Sequence, residues 1–392
     1  MNATLVALPE DFSAAEYARR YATIARLCEA ENVDALVVYG TSANARQGQA
    51  QVHYLTGFLG HQEACVVLVP DKQPILFVQY FNHVPHASRV AHADVRWGGP
   101  QSVGAVADEV GRLPGGSRIG LVGPIPFQAH RLLTAQLGDQ RLVDVSPAFK
   151  RLRLIKSEEE LAVMRRAAGV TDAALRALVR AAAPGATELD LQAAATAAAI
   201  KAGGQPHFLY LSSTPMAEPD RIVPQQDLSD RMLAVGDLVM FELSAAASAY
   251  SGQVLRTIAI GSDLTAQYRR MHELAWKAFH AIADVIGPDV PAQAAVDAGA
   301  LIEQEGFTIC DNLVHGYGGG YLPPVLRTPK TAHGPVPDLV FQQNMTLVIQ
   351  PNVVERDGRA GVQVGELVRV TSAGVETLHQ VPQRLLIGGE LI

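Results

Sequence analysis

The chain has 392 residues, enough for two or three domains, and its 32 basic against 39 acidic residues leave a net charge of −7. That balance gives no basic surplus for phosphate backbones or anionic lipid, so nucleic-acid and membrane partners are not expected. A hydrophobic fraction of 48% with 18% charge is ordinary for globular proteins and excludes collagen, coiled-coil and tail-dominated classes. Cys28, Cys65 and Cys310 are scattered, with no C-x-x-C spacing, which argues against a disulfide framework or a thiolate zinc site. The start, Met1 to Ser13, has no basic leader followed by an apolar stretch, and no later run approaches a membrane span, so a cytoplasmic protein is expected.

In chain order, Ala14 to Glu31 has helical periodicity, while Ala35–Tyr39, Ala64–Val69, Pro74–Val78 and Ile119–Val122 read as strands bounded by Gly, Pro or Asp. Together they make an α/β lobe. Near residue 155 the texture changes. Ser157 with Glu160 is a capping box that should start a helix from Glu158 to about Ala182. Pro184-Gly185 ends it, and Thr187 with Asp190 caps a second helix to about Ala202. The unit recurs: Thr265 to Val285, a Gly287-Pro288 break, then Pro291 to Glu305. Strand-like segments at Leu238–Leu243, Val254–Ile260, Thr346–Gln350 and Glu366–Thr371 complete a duplicated α+β pattern, helices on one side of an antiparallel sheet.

At this point an ordered series of motifs resembles the creatinase, prolidase and aminopeptidase P family. It runs from Arg153-Leu-Ile-Lys-Ser157 through Ser229-Asp-Arg-Met-Leu-Ala-Val-Gly-Asp-Leu-Val239, Arg256-Thr257 and His315-Gly-Tyr-Gly318 to Gly361-Val362, with Tyr54-Leu-Thr-Gly-Phe58 in the first lobe. The resemblance implies an α+β fold. A C-terminal pita-bread domain, residues 156–392, would build duplicated ααβ units on a curved antiparallel sheet, behind a smaller creatinase-like α/β domain, residues 1–155. It also implies a homodimer.

In metal-dependent members of that family two Asp, one His and two Glu hold paired divalent cations that activate a water. Carried over here, those positions read Glu242, Gln253, His315, Gln350 and Gly365. One carboxylate cannot compensate two dications in a partly buried site, so no dinuclear centre and no cofactor is expected. A single weakly held metal on Glu242 and His315 stays open. A one-residue slip would offer Glu366 instead of Gly365, but alternation along a strand turns that side chain to the other face. In the metal-independent creatinase branch a general-base histidine precedes the first site strand, and here Gln225 or Gln226 stands in its place.

His315 suits proton transfer near neutral pH; the alternative is a buried histidine fixing a turn. Glu242 on the apolar run Leu238 to Leu243 needs a partner: it either assists the chemistry or pairs with Arg256 or Arg369. Gln253 and Gln350 match the donor and acceptor edge of a neutral amide, ureido or lactam group. Arg327, twelve residues past His315, resembles a substrate-carboxylate arginine of the creatinase branch. Tyr317, Tyr321 and His333 lie in the same segment and would line the pocket, and the resemblance places Arg46 near a neighbouring subunit's site.

The reading is a metal-independent hydrolase of a C–N bond, in an amide, cyclic amide or guanidino-like group, acting on a small carboxylate-bearing molecule with His315 moving protons and Glu242 assisting or activating water. Its rivals are a catalytically inactive binding or scaffold member of the family and a residual metal-dependent Xaa-Pro aminopeptidase or prolidase.

Overall fold

The computed structural model describes residues 11–42 and 46–392, and the chain divides into two compact units, Met1–Arg153 and Leu154–Ile392. In the first unit the described residues form a mixed six-stranded sheet. Its strands are β1 (Ala35–Thr41), β2 (Glu63–Leu68), β3 (Ile75–Val78), β4 (Asp94–Trp97), β5 (Ile119–Val122) and β6 (Leu142–Asp144), in the order β4-β3-β2-β1-β5-β6. Apolar clusters cover both faces. Leu36, Val38 and Val66 pack with Ile24 and Phe149 on one, and Val37, Cys65 and Leu121 pack with Val106 and Leu133 on the other. Strands β4 and β6 escape sequence reading because they are edge strands of four and three residues with little apolar content.

In the second unit the helices begin where their caps predict. Ser157 accepts the Glu160 N–H at 3.2 Å and Glu160 returns the bond to the Ser157 N–H at 3.0 Å, opening helix Glu158–Ala181. Thr187 and Asp190 close the same reciprocal pair ahead of helix Glu188–Lys201, and Thr265 caps helix Ala266–Val285. Each cap contributes about 1 kcal/mol. The fourth expected helix is broken in two, Ala292–Gly299 and Leu301–Gln304. Among the described residues no helix is long and apolar enough to cross a membrane.

The main sheet runs through β7 (Gln205–Pro215), β8 (Asp237–Ala247), β9 (Tyr250–Ala259), β10 (Val314–Gly316), β11 (Leu322–Leu326) and β12 (Thr346–Ile349). Strands β13 (Asn352–Val354) and β14 (Gly361–Gln363) form a separate small sheet; the main sheet is completed by β15 (Gly365–Thr371), with β16 (Gly374–Thr377) beside β15 and β17 (Leu386–Ile387) beside β9. The order is β11-β10-β12-β15-β9-β8-β7, antiparallel throughout this path. Val239, Phe241, Leu243 and Ala245 of β8 pack with Leu175, Leu178 and Leu191 of the first helix pair. Val314, Leu347, Ile349, Val368 and Val370 pack with Met271, Ala275 and Phe279 of the second. Strand alternation therefore sends the intervening residues of β8, β10 and β12 to the opposite face of the sheet.

Candidate functional site

That opposite face gathers polar side chains from both halves of the sheet. Glu242 projects from β8, and the β8–β9 hairpin sets Gln253 across from Ser244, one strand over. His315 comes from the short β10, paired with Val348, and Gln350 follows directly on β12. All four are buried.

A hydrogen-bonded chain links them. Asp311, in the turn before β10, accepts from Gln350 Nε2 at 3.1 Å. Gln350 Oε1 accepts from Gln253 Nε2 at 3.2 Å and lies 3.1 Å from His315 Nε2. Gln253 Nε2 also donates to Glu242 Oε1 at 2.5 Å. Two consequences follow. Glu242 is paired with neither Arg256 nor Arg369, which bond Glu366 and Glu158 respectively. Among the described residues no cation pairs with it; burial raises its carboxyl to a pKa of about 8, and the charge of Asp311 adds to the rise. At neutral pH Glu242 holds a proton.

His315 lies between two acceptors, Gln350 Oε1 and, 3.2 Å from Nδ1, the Gly316 carbonyl. Burial pushes its pKa down, while both contacts and Asp311 act in the opposite direction. Only the imidazolium would satisfy both acceptors at once. Tyr321, which is half exposed, brings its ring to 4.5 Å from the imidazole, and Tyr317 meets it edge-on at 5.5 Å. The Tyr317 hydroxyl sits 3.1 Å from Ser244 Oγ and 3.2 Å from His207 Nδ1. Burial lowers His207 to a pKa of about 4, so it is neutral at pH 7.

The structure thus brings together Glu242, Gln253, His315, Gln350, Tyr317 and Tyr321. Arg327, expected to take a substrate carboxylate, stands apart from this group. Its guanidinium donates to the Thr331 carbonyl at 2.9 Å, the Cys310 carbonyl at 3.1 Å and Asn312 Oδ1 at 3.4 Å, so it straps the loop that carries Asp311 instead of presenting a free fork to a carboxylate. His333 is exposed on the loop between β11 and β12 and, among the described residues, bonds none of the site residues; this too departs from the expectation. The Arg46 side chain lies outside the described residues. Gln225 and Gln226 are exposed, and Gln225 serves as backbone partner to Leu211 at the edge of β7.

Sequence reading missed Asp311, Ser244 and His207. Asp311 had a signal, an acid four residues ahead of His315 at the entry to an apolar strand. His207 had none, because β7 opens with an exposed Gln205-Pro206 and was not read as a strand.

Residues 162–372 match metallopeptidase family M24, and residues 20–155 match the creatinase/prolidase N-terminal domain. The chain belongs to metallopeptidase family M24. An uncharacterised hydrolase/peptidase of Sinorhizobium fredii is 25% identical, over 97% of this chain and 98% of its own. A Xaa-Pro dipeptidase of Pyrococcus furiosus is 24% identical over 68% of this chain and 75% of its own. Among solved structures, a prolidase from Pyrococcus horikoshii superposes with a TM-score of 0.79 at 18% identity, covering 94% of this chain and 100% of that one. A dipeptidase from Mycobacterium ulcerans gives 0.77 at 22% identity, with 96% and 99% covered. The protein is accordingly a hydrolase-family member with the pita-bread fold and a creatinase-like N-terminal domain.

The M24 fold implies a pair of metal ions, and the residues present here do not fit one. Between Glu242 and Gln350, where a shared cation would need an oxygen, Gln253 offers an N–H to each. The fifth position, Gly365, has φ +156°, and a Cβ there would stand 2.3 Å from the Ile349 carbonyl oxygen and 2.7 Å from Gln350 Cα. No side-chain ligand can be accommodated without moving backbone. The neighbouring Glu366 faces the helices and pairs with Arg256 at 2.5 Å. Among the described residues, no group of three or more His, Cys, Asp or Glu is placed to hold a metal ion.

Proposed function

We propose that this M24 member hydrolyses a non-peptide C–N bond, in an amide, cyclic amide or guanidino-like group of a small molecule, using side-chain protons in place of metal ions. The observation that carries the reading is the Gln253 amide, whose nitrogen bridges Glu242 and Gln350 where the metal-dependent reaction needs anionic oxygen. Arg327 has no part in this chemistry, because its guanidinium is engaged by its own loop.

The chemistry closes on two groups. With Nδ1–H on the Gly316 carbonyl, His315 Nε2 sets its lone pair against Gln350 Oε1, and taking a proton from the attacking water turns that contact into a hydrogen bond. The new C–O bond forms as the C–N bond breaks, and the leaving nitrogen takes the proton that buried Glu242 holds at neutral pH. Imidazolium formation is helped by its two acceptors, and the proton then passes back to the Glu242 carboxylate, restoring the start. The role of Glu242 thereby shifts from activating water to acting as acid.

The test is turnover of small cyclic amides and ureido compounds by protein purified through chelation. Hydrolysis of at least one compound at a rate unchanged by chelator is expected. A rate that vanishes with chelator and returns with Mn²⁺, Co²⁺ or Zn²⁺ would overturn the reading in favour of a metal-dependent dipeptidase like the relative from Pyrococcus furiosus.

A further inference from the structure

The Gln253 side chain is fully buried, and among the described residues its Oε1 has no hydrogen-bond partner. A buried acceptor left without a donor costs about 1–3 kcal/mol, so a ligand that supplies one gains that much. The direction in which this amide points is not free. Asp311 Oδ1 is held by the Asn312 N–H at 2.7 Å, which leaves Oδ2 for the Gln350 amide. A carboxylate oxygen accepts only, so Gln350 must turn its Nε2 to Asp311 and its Oε1 toward Gln253. Gln253 must then turn its own Nε2 to Gln350 and Glu242, and its Oε1 away from both. One anionic oxygen, acting through two amides, decides which end of Gln253 is left without a partner.

We infer that Asp311 is a positioning residue that sets the polarity of a subsite at Gln253 Oε1, and that this subsite takes a neutral ligand through an N–H donor, as in a lactam, cyclic imide or ureido ring. The inference rests on the proposed site and is independent of turnover. Acceptor-only rings of the same shape are poor ligands, since they set one lone pair against another.

The experiment is equilibrium binding, by ligand-observed NMR, of matched pairs: 2-pyrrolidinone, succinimide and hydantoin against their fully N-methylated forms. Chelated wild-type protein and Asp311→Asn are compared. The substitution keeps the Asn312 contact and puts an NH₂ where Oδ2 was, which reverses Gln350 and then Gln253. Wild type is expected to prefer at least one N–H ring by about tenfold, equivalent to about 1.4 kcal/mol. In Asp311→Asn the preference should fall to parity or invert, which steric exclusion of a methyl group would not do. If that variant does not fold, Gln350→Leu, which cuts the chain at its middle, should level the pair in the same way.

Equal wild-type affinity for both members, a preference unchanged by either variant, or no binding of any N–H ring would overturn the inference. N–H-selective binding without hydrolysis would sustain it while the proposed activity fails. Hydrolysis without N–H selectivity would do the reverse.

Discussion

Two buried glutamates on opposite faces of one sheet end in opposite states. Glu366 points to the helix side, where Arg256 Nη2 and Gln383 Nε2 both donate to it at 2.5 Å. Burial raises its pKa, but Arg256, His379 and Thr377 together more than offset this and hold the carboxyl below the usual range. Glu242 points the other way, has a carboxamide for a neighbour, and is driven up to about 8. Burial is alike at the two positions; the partner decides the charge. One face keeps an ion pair, and the other sets a neutral Glu242 at the far end of a chain of amides from Asp311.

Removing Arg256 breaks the contrast most severely. Arg256→Met leaves the Glu366 carboxylate buried beside the Pro382 and Gly365 carbonyls that the guanidinium now bonds, and should cost about 3–5 kcal/mol in denaturant unfolding. His315→Ala comes next: the fold should hold while hydrolysis falls about 10²–10⁴-fold, measured as kcat at saturating substrate. A protein that only binds would lose little.

Glu242→Gln probes the other carboxyl through pH. Between its ordinary pKa of 4.5 and about 8 the folded protein holds a proton that the unfolded chain has released. Stability from this group is therefore complete below pH 4.5 and is lost as pH rises through 8, by at most about 1.4 kcal/mol per unit. Midpoints of urea unfolding at pH 5 and pH 8.5 should converge in the variant relative to wild type. The smallest effect is that of Asp311→Asn on the same profile. Since burial is the main cause of the rise and Asp311 the lesser, the upper limit should move slightly down.

What was legible in the chain follows the range of the interactions. The caps at Ser157, Thr187 and Thr265 are settled within four residues, and their helices start where expected. Strand β8 was read short because its last residues, Ser244 to Ala247, are small and carry little strand preference; pairing with β9 extends it. Motif spacing located the face that Glu242, Gln253, His315 and Gln350 share. It did not show the function of Asp311, which arises only when β9, β12 and the turn before β10 meet. Nor did it show that Arg327 would be taken up by its own loop, since twelve residues of separation say nothing of which carbonyls curl back on it.

The account turns on the proton of Glu242. Carboxyl ¹³C NMR of glutamate-labelled protein, with the resonance assigned by its loss in Glu242→Gln, measures it directly. A titration midpoint near pH 8 is expected in the metal-free protein. A midpoint in the ordinary range near 4.5 would mean a charged carboxylate at neutral pH and would contradict the proton-donor role.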